Sequence, residues 1–330
     1  MVTDKRLILK TLLLTDLHLT HKPEGLLKAQ KECILKIFDK ERPDEVIIMG
    51  DLVMVRRPQP VVLDTLHTII KTISSHCPLV LLRGNHDSDN RSDDGLTVLS
   101  LFESDNVKII TQTTHDYAKQ RTYIPHYEDQ DRIKNILLTV PEGHSVYGHF
   151  GYDGCLNSVG DADFGITLNS FRNCTYLGHI HRFQQSGRVT ILGTPYSTNF
   201  GESDKVNYYA TLEDGKAEFH EVDFGPRYLV VNKEDIPSNL EKINDPNYHT
   251  LLRVNLSSGE TQPVMDDLNV ASLDIKFKPA FDEEVLSDYK PKRDLFTLNE
   301  VILEDYIDAA HTDLPKDDIL EGLSLIRDEH

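Results

Sequence analysis

The sequence contains no tryptophan, and cysteine is nearly as scarce. The four cysteines are scattered, with no two spaced as in a zinc-binding pair: Cys33, Cys77, Cys155 and Cys174. Scattered thiols suit a reduced protein, since secreted domains and zinc knuckles use paired cysteines. We therefore expect a cytoplasmic protein without a disulfide framework and without a thiolate metal site.

Long apolar runs are missing as well. No run approaches the roughly 20 apolar residues that a transmembrane helix needs. A short apolar section near the N-terminus is interrupted by Lys10 and ends at Asp16 and His18, and no small-residue cleavage site follows. We interpret this section as a buried strand rather than a signal peptide, and we expect no membrane association.

Positively charged residues are also few relative to negatively charged ones. The chain has 35 Lys and Arg residues against 54 Asp and Glu residues, which gives a formal net charge of −19. Proteins that coat nucleic acid on their own are basic, at least in patches, so this charge argues against that class. It does not exclude an enzyme in which bound metal ions offset the local acidity.

The first hundred residues alternate between short apolar runs and helical patterns. Strands are predicted at "RLILKTLLLTD", "DEVIIMGD" and "PLVLLRGNHD", and helices over residues 24–41 and 60–76. Short, continuous apolar runs suit strands that are buried on both faces, and Pro60 suits the first turn of a helix. The order strand–helix–strand–helix–strand predicts an α/β fold with a layered sheet.

From about residue 106 the pattern changes to shorter strands. We predict these at "VKIIT", "RTYIPH", "NILLTV", "HSVYGHF", "CTYLGHI", "VTILGTP" and "VNYYATLE". The sequence pattern of residues 226–285 predicts a small α+β unit. Two amphipathic helices are predicted near the C-terminus, with these apolar residues on one face: Ile319, Leu320, Leu323 and Ile326. The expected division is therefore 1–225, 226–285 and 286–330.

Asp, Asn and His residues lie at the carboxyl ends of the predicted strands. In chain order they are Asp16, His18, Asp51, Asn85, His86, His149, His179 and His181. Ligands bind at the carboxyl ends of strands in open α/β sheets. The last two histidines, in "YLGHIHRFQ", are two residues apart, so an extended backbone would direct both rings to one side. Such a pair is what a metal ion requires.

Each of these residues also has an ordinary structural interpretation. Asp16 and Asp51 could cap helices that follow their strands, Asn85 could be a turn residue, and His149 could be a core or surface histidine. Jointly these alternatives fail, because the chain has only 15 histidines in 330 residues and five of them fall at the ends of predicted strands.

Two divalent ions about 3.5–4 Å apart need a bridging carboxylate. Mixed His, Asp and Asn ligands suit manganese, iron or zinc.

The motifs DxH, GD, GNHD, GH and GHxH, in this order, resemble the calcineurin-like metallophosphoesterases over residues 11–200. The resemblance implies a layered α/β sandwich with two divalent metal ions, Mn²⁺ being favoured and Mg²⁺, Fe²⁺ and Zn²⁺ being alternatives. It implies a first metal bound by Asp16, His18, Asp51 and His181. It implies a second metal bound by Asp51, Asn85, His149 and His179, so that Asp51 bridges the two. His86 would be the catalytic acid and not a ligand.

A finer resemblance points to SbcD-type DNA nucleases. The stretch "VTILGTPYSTNFGES" is similar to one that follows the HxH pair in those proteins. The resemblance implies that 226–285 is a capping domain and that the C-terminal helices in 286–330 dock on an SbcC-type coiled-coil ATPase. It also implies a homodimer, for which the helices near 26–38 and 61–75 are candidates. The expected function is a metal-dependent exo/endonuclease subunit acting on DNA in recombination and repair.

One position departs from the resemblance. Several relatives have His or Asp three residues after the GD aspartate, and this chain has Met54, which can neither carry charge nor donate a proton. Arg56, Arg57 and Arg83 are nearby in sequence, and arginine suits phosphate contact. Solvation at the surface is nevertheless the favoured role for each.

Two other functions stay open at this point. One is a phosphatase or phosphodiesterase that acts on a small molecule or a phosphoprotein. The other is a non-catalytic scaffold that recruits an ATPase, against which the complete set of ligand residues argues.

Overall fold

The structure is a computed structural model of the chain and describes residues 9–157, 165–203, 205–257 and 268–277. Within these residues the chain forms two six-stranded sheets and one three-stranded sheet. The helices are α1 (Leu26–Glu41), α2 (Pro60–Ser74), α3 (Gln130–Thr139) and α4 (Ile236–Ile243). None of these helices is long and apolar enough to cross a bilayer. The predicted C-terminal helices in 286–330 lie outside the described residues.

The first sheet is mostly parallel. Its strands, in spatial order, are β12 (Lys216–Glu221), β11 (Tyr208–Glu213), β1 (Thr11–Leu14), β2 (Glu45–Ile48), β3 (Leu79–Leu82) and β4 (Val107–Ile110). β1 to β4 run parallel, and β11 pairs with β1 in the antiparallel direction. The carboxyl ends of β1, β2 and β3 therefore meet at one edge.

The second sheet repeats this arrangement. Its strands, in spatial order, are β5 (Thr114–Asp116), β6 (Arg121–Ile124), β7 (Ser145–His149), β8 (Thr175–Gly178), β10 (Val189–Ile191) and β9 (Gln184–Ser186). β6, β7, β8 and β10 are parallel, and short antiparallel strands close both edges. Short edge strands limit pairing with other chains.

The core separates into layers because successive side chains of a strand point to opposite faces. On β1, Leu13 packs between the two sheets, in contact with the tyrosines of the second sheet. Leu12 and Leu14 face the other way, into a core shared with α1 and α2. On the far side of the second sheet, Ile133 and Leu137 of α3 complete a separate core. The predicted layered α/β sandwich is confirmed.

The strand predicted at "NILLTV" is wrong, because this segment is the second half of α3. Asp129 caps the helix, and its carboxylate accepts hydrogen bonds from the backbone amides of Asp131 and Arg132. Ile133 and Leu137, one turn apart, are both buried. The apolar spacing thus follows the period of a helix once residues before Asn135 are included.

The third sheet consists of parallel strands β13 (Gly225–Asn232), β14 (Tyr248–Leu256) and β15 (Ser272–Phe277), accompanied by α4. It packs on the start of α1, where Leu26 contacts Tyr228 and Leu251. The Phe200 ring also lies against Tyr228, with ring centroids 4.9 Å apart. The described part of this region contains three strands and one helix. Its role as a capping domain stays a prediction.

Candidate metal centre

The eight polar residues lie at the carboxyl edge of the two sheets, at or just after the ends of β1, β2, β3, β7 and β8. The helix-cap alternative for Asp16 and Asp51 is excluded, since α1 begins after Gly25 and α2 after Gln59. Asn85 does lie in a turn, as its ordinary interpretation required. His149 ends β7 and is fully buried.

The backbone at this edge is unusual for residues other than glycine. The angle φ is positive at Asp16 (52°), His18 (43°), Asp51 (52°) and His179 (81°). Left-handed backbone costs a residue with a Cβ about 1–2 kcal/mol. Such strain persists where the surrounding structure fixes it, often at functional sites. Here it directs polar side chains towards a common centre.

Gly50 and Gly84, which precede Asp51 and Asn85, lie so close to other side chains of the site that a Cβ would not fit. A Cβ on Gly50, where φ is 97°, would overlap the imidazole of His149. A Cβ on Gly84 would overlap the carboxylate of Asp51. The glycine in each of the motifs GD and GNHD therefore makes room for a side chain of the site.

A first group of donor atoms surrounds one point. His18 Nε2 and His181 Nε2 are 2.9 Å apart. Each lies 3.8 Å from Oδ1 of Asp16, and His18 Nε2 lies 3.7 Å from Oδ2 of Asp51. These are the four residues that the resemblance assigned to the first metal.

A second group lies on the other side of Asp51. His149 Nε2 is 3.3 Å from Oδ2 of Asp51 and 3.2 Å from Oδ1 of Asn85. The same amide oxygen is 3.0 Å from His179 Nδ1. Oδ2 of Asp51 thus faces both groups, which is the placement that a bridging ligand needs.

The residues fit two divalent ions. Ligand atoms bound to one ion at 2.0–2.2 Å and at right angles lie about 3 Å from one another. The donor separations of 2.9–3.8 Å are close to this value. Carboxylate, amide oxygen and imidazole are ligands of borderline and hard divalent metals. Members of both groups form clusters suited to an ion, and their role as ligands is a proposal.

The pKa shifts in this buried site favour metal binding for three of the titratable donors and oppose it for the other three, whose pKa values are raised: Asp16, His149 and His181. Burial lowers the pKa of both His18 and His179 to about 3, so both rings are neutral at pH 7. Burial acts to raise the pKa of Asp51, but His149 and His18 hold it below its usual range. Burial acts to lower the pKa of His149, but Asp51 raises it to about 9. Metal binding would therefore release a proton from His149.

His86 lies beside His18, with ring centroids 4.9 Å apart, and is held by the loop after β2. Its backbone amide donates to Oδ1 of Asp51 at 2.8 Å, and its Nδ1 lies 2.5 Å from the carbonyl oxygen of Met54. The carbonyl accepts a hydrogen bond from Nδ1–H, so Nε2 is the nitrogen left for a reacting group. Met54 therefore acts through its backbone, which any residue at this position could supply.

Glu202 lies in the stretch "VTILGTPYSTNFGES", but no sequence pattern assigns it a role of its own. Glu202 is buried, and its Oε1 accepts a hydrogen bond from Nδ1 of His181 at 2.6 Å. Its other oxygen pairs with Lys205 at 2.9 Å and accepts from the amide of Thr198 at 2.8 Å. A carboxylate behind a metal-binding histidine fixes the ring and raises its basicity.

We expect Glu202→Gln to weaken metal binding at the first group by about 10–100-fold, the usual effect of losing such a carboxylate. The substitution keeps the shape of the side chain while removing its charge. Metal titration by calorimetry would measure the affinity, with Glu213→Gln on the exposed end of β11 as a control. Unchanged affinity for both metal equivalents would exclude this role for Glu202.

Two further residues stabilise the loops of the site. Asp87 accepts hydrogen bonds from the amides of Leu52 and Gly84, both at 2.9 Å, and so ties the loop after β2 to the loop after β3. The surface role favoured for Arg83 is wrong, because this residue is 1% exposed. Its guanidinium donates to the carbonyl of His126 at 2.6 Å.

A two-sheet α/β sandwich with paired donor clusters at its strand ends is the architecture of a metal-dependent hydrolase. The chain belongs to the calcineurin-like phosphoesterase family, since the model of that family matches residues 9–183, more than half of the 330 residues. Members of the family use divalent metal ions. The family predicted from the motifs is thereby confirmed.

Solved structures of several phosphoesterases are similar to the chain. The nuclease MPE of Pseudomonas putida is 14% identical, with 64% of this chain and 87% of that chain covered and a TM-score of 0.34. An archaeal phosphodiesterase is 15% identical, with coverages of 64% and 98% and a TM-score of 0.34. A dimetal phosphatase from Danio rerio is 12% identical, with coverages of 65% and 98% and a TM-score of 0.39. Sequence comparison with curated proteins gives no match.

Proposed function

We propose that this chain is a metal-dependent DNA nuclease, the SbcD-type subunit of an SbcCD-type complex. The observation that carries the proposal is the carboxylate of Asp51, which lies between two donor groups and beside His86. A site of this kind suits the hydrolysis of a phosphodiester. Seven residues would hold two divalent ions, for which we propose Mn²⁺: Asp16, His18, Asp51, Asn85, His149, His179 and His181.

The chemistry divides between the ions and the chain. When bound, the ions supply Lewis-acid stabilisation of phosphoryl charge and lower the pKa of water. The protein positions the phosphate by fixing its donor loops rigidly, through Asp87 and the strained backbone. With a proton on both ring nitrogens, His86 would pass the Nε2 proton to the leaving oxygen, while its Nδ1–H stays hydrogen-bonded to the Met54 carbonyl.

Two contacts support the nuclease branch of the family. The stretch that resembles SbcD-type nucleases places Glu202 behind His181. The same stretch places Phe200 on Tyr228 of the third sheet. A small domain beside the site could then limit which DNA structures reach it, as expected of a capping domain.

The alternative is a phosphatase or phosphodiesterase that acts on a small molecule or a phosphoprotein. The net charge of −19 favours it, because affinity for duplex DNA rests largely on neutralising phosphates. In the nuclease proposal an ATPase partner supplies positive surface. We propose that residues 286–330, where the sequence predicts two helices, bind this ATPase, and that the chain forms a homodimer through α1 and α2.

One assay separates the two functions. Labelled single- and double-stranded DNA would be incubated with the protein and Mn²⁺, with and without a candidate SbcC-type ATPase. Parallel reactions would contain bis(p-nitrophenyl) phosphate and p-nitrophenyl phosphate. We expect cleavage of DNA and of the diester, with faster DNA cleavage when the ATPase is present. Hydrolysis of the chromogenic esters without any DNA cleavage would reject the nuclease and leave the alternative.

A further inference from the structure

A single carboxylate at the rim of the site is surrounded by three donor groups. Oε1 of Glu128 lies 3.5 Å from Nη2 of Arg56, 3.9 Å from Nε of Arg91 and 4.0 Å from Nε2 of His126. The three donors come from the loops after β2, β3 and β6, which all end at the carboxyl edge. They converge on one point, which Glu128 now occupies.

This point is next to the second group of donors. The His126 ring lies against His179, with centroids 5.6 Å apart, and against His149, with centroids 6.1 Å apart. His126 is held firmly: its amide donates to the Arg83 carbonyl at 2.9 Å, and the Arg83 guanidinium donates back to its carbonyl at 2.6 Å. His126 is thus built into the edge of the site.

Glu128 is a loose partner for these groups. Charge-assisted hydrogen bonds between nitrogen and a carboxylate are usually about 2.7–2.9 Å long, and all three distances exceed this range. The Glu128 side chain is 41% exposed and that of Arg91 is 81% exposed. Exposed ion pairs contribute little stability, so the arginines can exchange this carboxylate for another anion at small cost.

Two other acidic side chains of this rim have partners of their own. Asp93 accepts from the backbone amides of Glu128 and Asp129, at 2.9 and 3.2 Å. Asp94 accepts from the amide of Leu96 and from Ser92. Glu128 is therefore the carboxylate that competes for the three donors.

We propose that Arg56, Arg91 and His126 form a binding site for a phosphate of a nucleic-acid strand adjacent to the scissile one, and that Glu128 occupies it when substrate is absent. The inference rests on the proposed nuclease function and deepens it. A substrate with one isolated phosphate would gain nothing from this site, whereas a polynucleotide would.

The test compares two substrates in the full-length protein with Mn²⁺. Arg56→Ala/Arg91→Ala should lower kcat/KM for a labelled single-stranded oligonucleotide by about tenfold or more, the loss expected for hydrogen bonds to a charged group. Hydrolysis of bis(p-nitrophenyl) phosphate should change less than about twofold, since this ester is too short to contact both sites. Arg188→Ala, an exposed arginine between β9 and β10, is the matched control.

Binding gives a second readout. With Ca²⁺ in place of Mn²⁺, the affinity for the oligonucleotide would be measured by fluorescence anisotropy over a range of salt concentrations. Affinity falls as salt rises, so a plot of log affinity against log salt has a negative slope. In the double variant this slope should become shallower by about 0.7 for each phosphate that the protein no longer neutralises. Glu128→Gln should act in the opposite direction and tighten binding, because the competing charge is gone.

The outcomes are distinct. Equal losses on both substrates would assign these residues to the structure of the site and overturn the inference. Wild-type values for the double variant on DNA would also overturn it. A wild-type protein that hydrolyses the diester but neither cuts nor binds DNA, with or without the SbcC-type ATPase, would reject the proposed function itself, and the inference with it.

Discussion

Asp51→Ala is expected to abolish phosphodiester hydrolysis and to reduce bound metal from two equivalents to one or none. Oδ2 of Asp51 lies 3.7 Å from His18 Nε2 and 3.3 Å from His149 Nε2, so its removal deprives both donor groups. The loss of rate should exceed about 10³-fold, the upper range for one transition-state donor. Elemental analysis would count the metal, and hydrolysis of bis(p-nitrophenyl) phosphate with excess Mn²⁺ would measure the rate.

A matched control removes a carboxylate elsewhere. Asp64 is exposed on α2, so Asp64→Ala changes the net charge equally without touching the site. Circular dichroism should show that both variants are folded. Near-normal activity of folded Asp51→Ala protein would mean that the two donor groups do not share a bridging ligand.

His86→Ala should slow DNA cleavage by roughly 10²–10⁴-fold, the usual contribution of an acid–base group. Its content of two bound metals should be unchanged. The reason is that His86 Nδ1 is engaged by the Met54 carbonyl at 2.5 Å, and the seven other residues complete both donor groups. Rates from cleavage of labelled DNA and metal content from elemental analysis would be measured on the same preparation.

The leaving group distinguishes an acid from other roles. A p-nitrophenolate leaves without help from a proton, whereas the sugar oxygen of DNA needs one. The defect of His86→Ala should therefore be smaller on bis(p-nitrophenyl) phosphate than on DNA. His21→Ala, at an exposed position before α1, is the control. Loss of one metal equivalent would make His86 a ligand, which its place in a cluster with His18 and Asp51 also allows.

The candidate site could be predicted from the sequence because its residues follow strands and carry their own local signal. Asp51 comes directly after a buried run and a glycine, and His179 does the same in the second sheet, with His181 two residues further on. Parallel strands bring such positions to one edge whatever the loops between them contain. Residue type and order were therefore enough to locate these residues without any knowledge of distances.

The remaining residues could not be found in this way. His126 follows Pro125 in no recognised motif, and it reaches the site only because β6 lies beside β7 in the sheet. Arginine is seldom fully buried without a partner, and the partner of Arg83 is a carbonyl 43 residues away, which no local pattern indicates. In α3 the six residues "NILLTV" are too few to distinguish a helix from a strand.

The donors of the site are shared between the two sheets. Asp16, His18, Asp51 and Asn85 follow strands of the first sheet, whereas the other histidine donors belong to the second. Any slippage of one sheet over the other would pull these groups apart. Anything that binds only the native arrangement raises the free energy of unfolding by mass action. Divalent ions would therefore hold the two sheets together, and the stability of the folded chain would depend on the concentration of free metal around it.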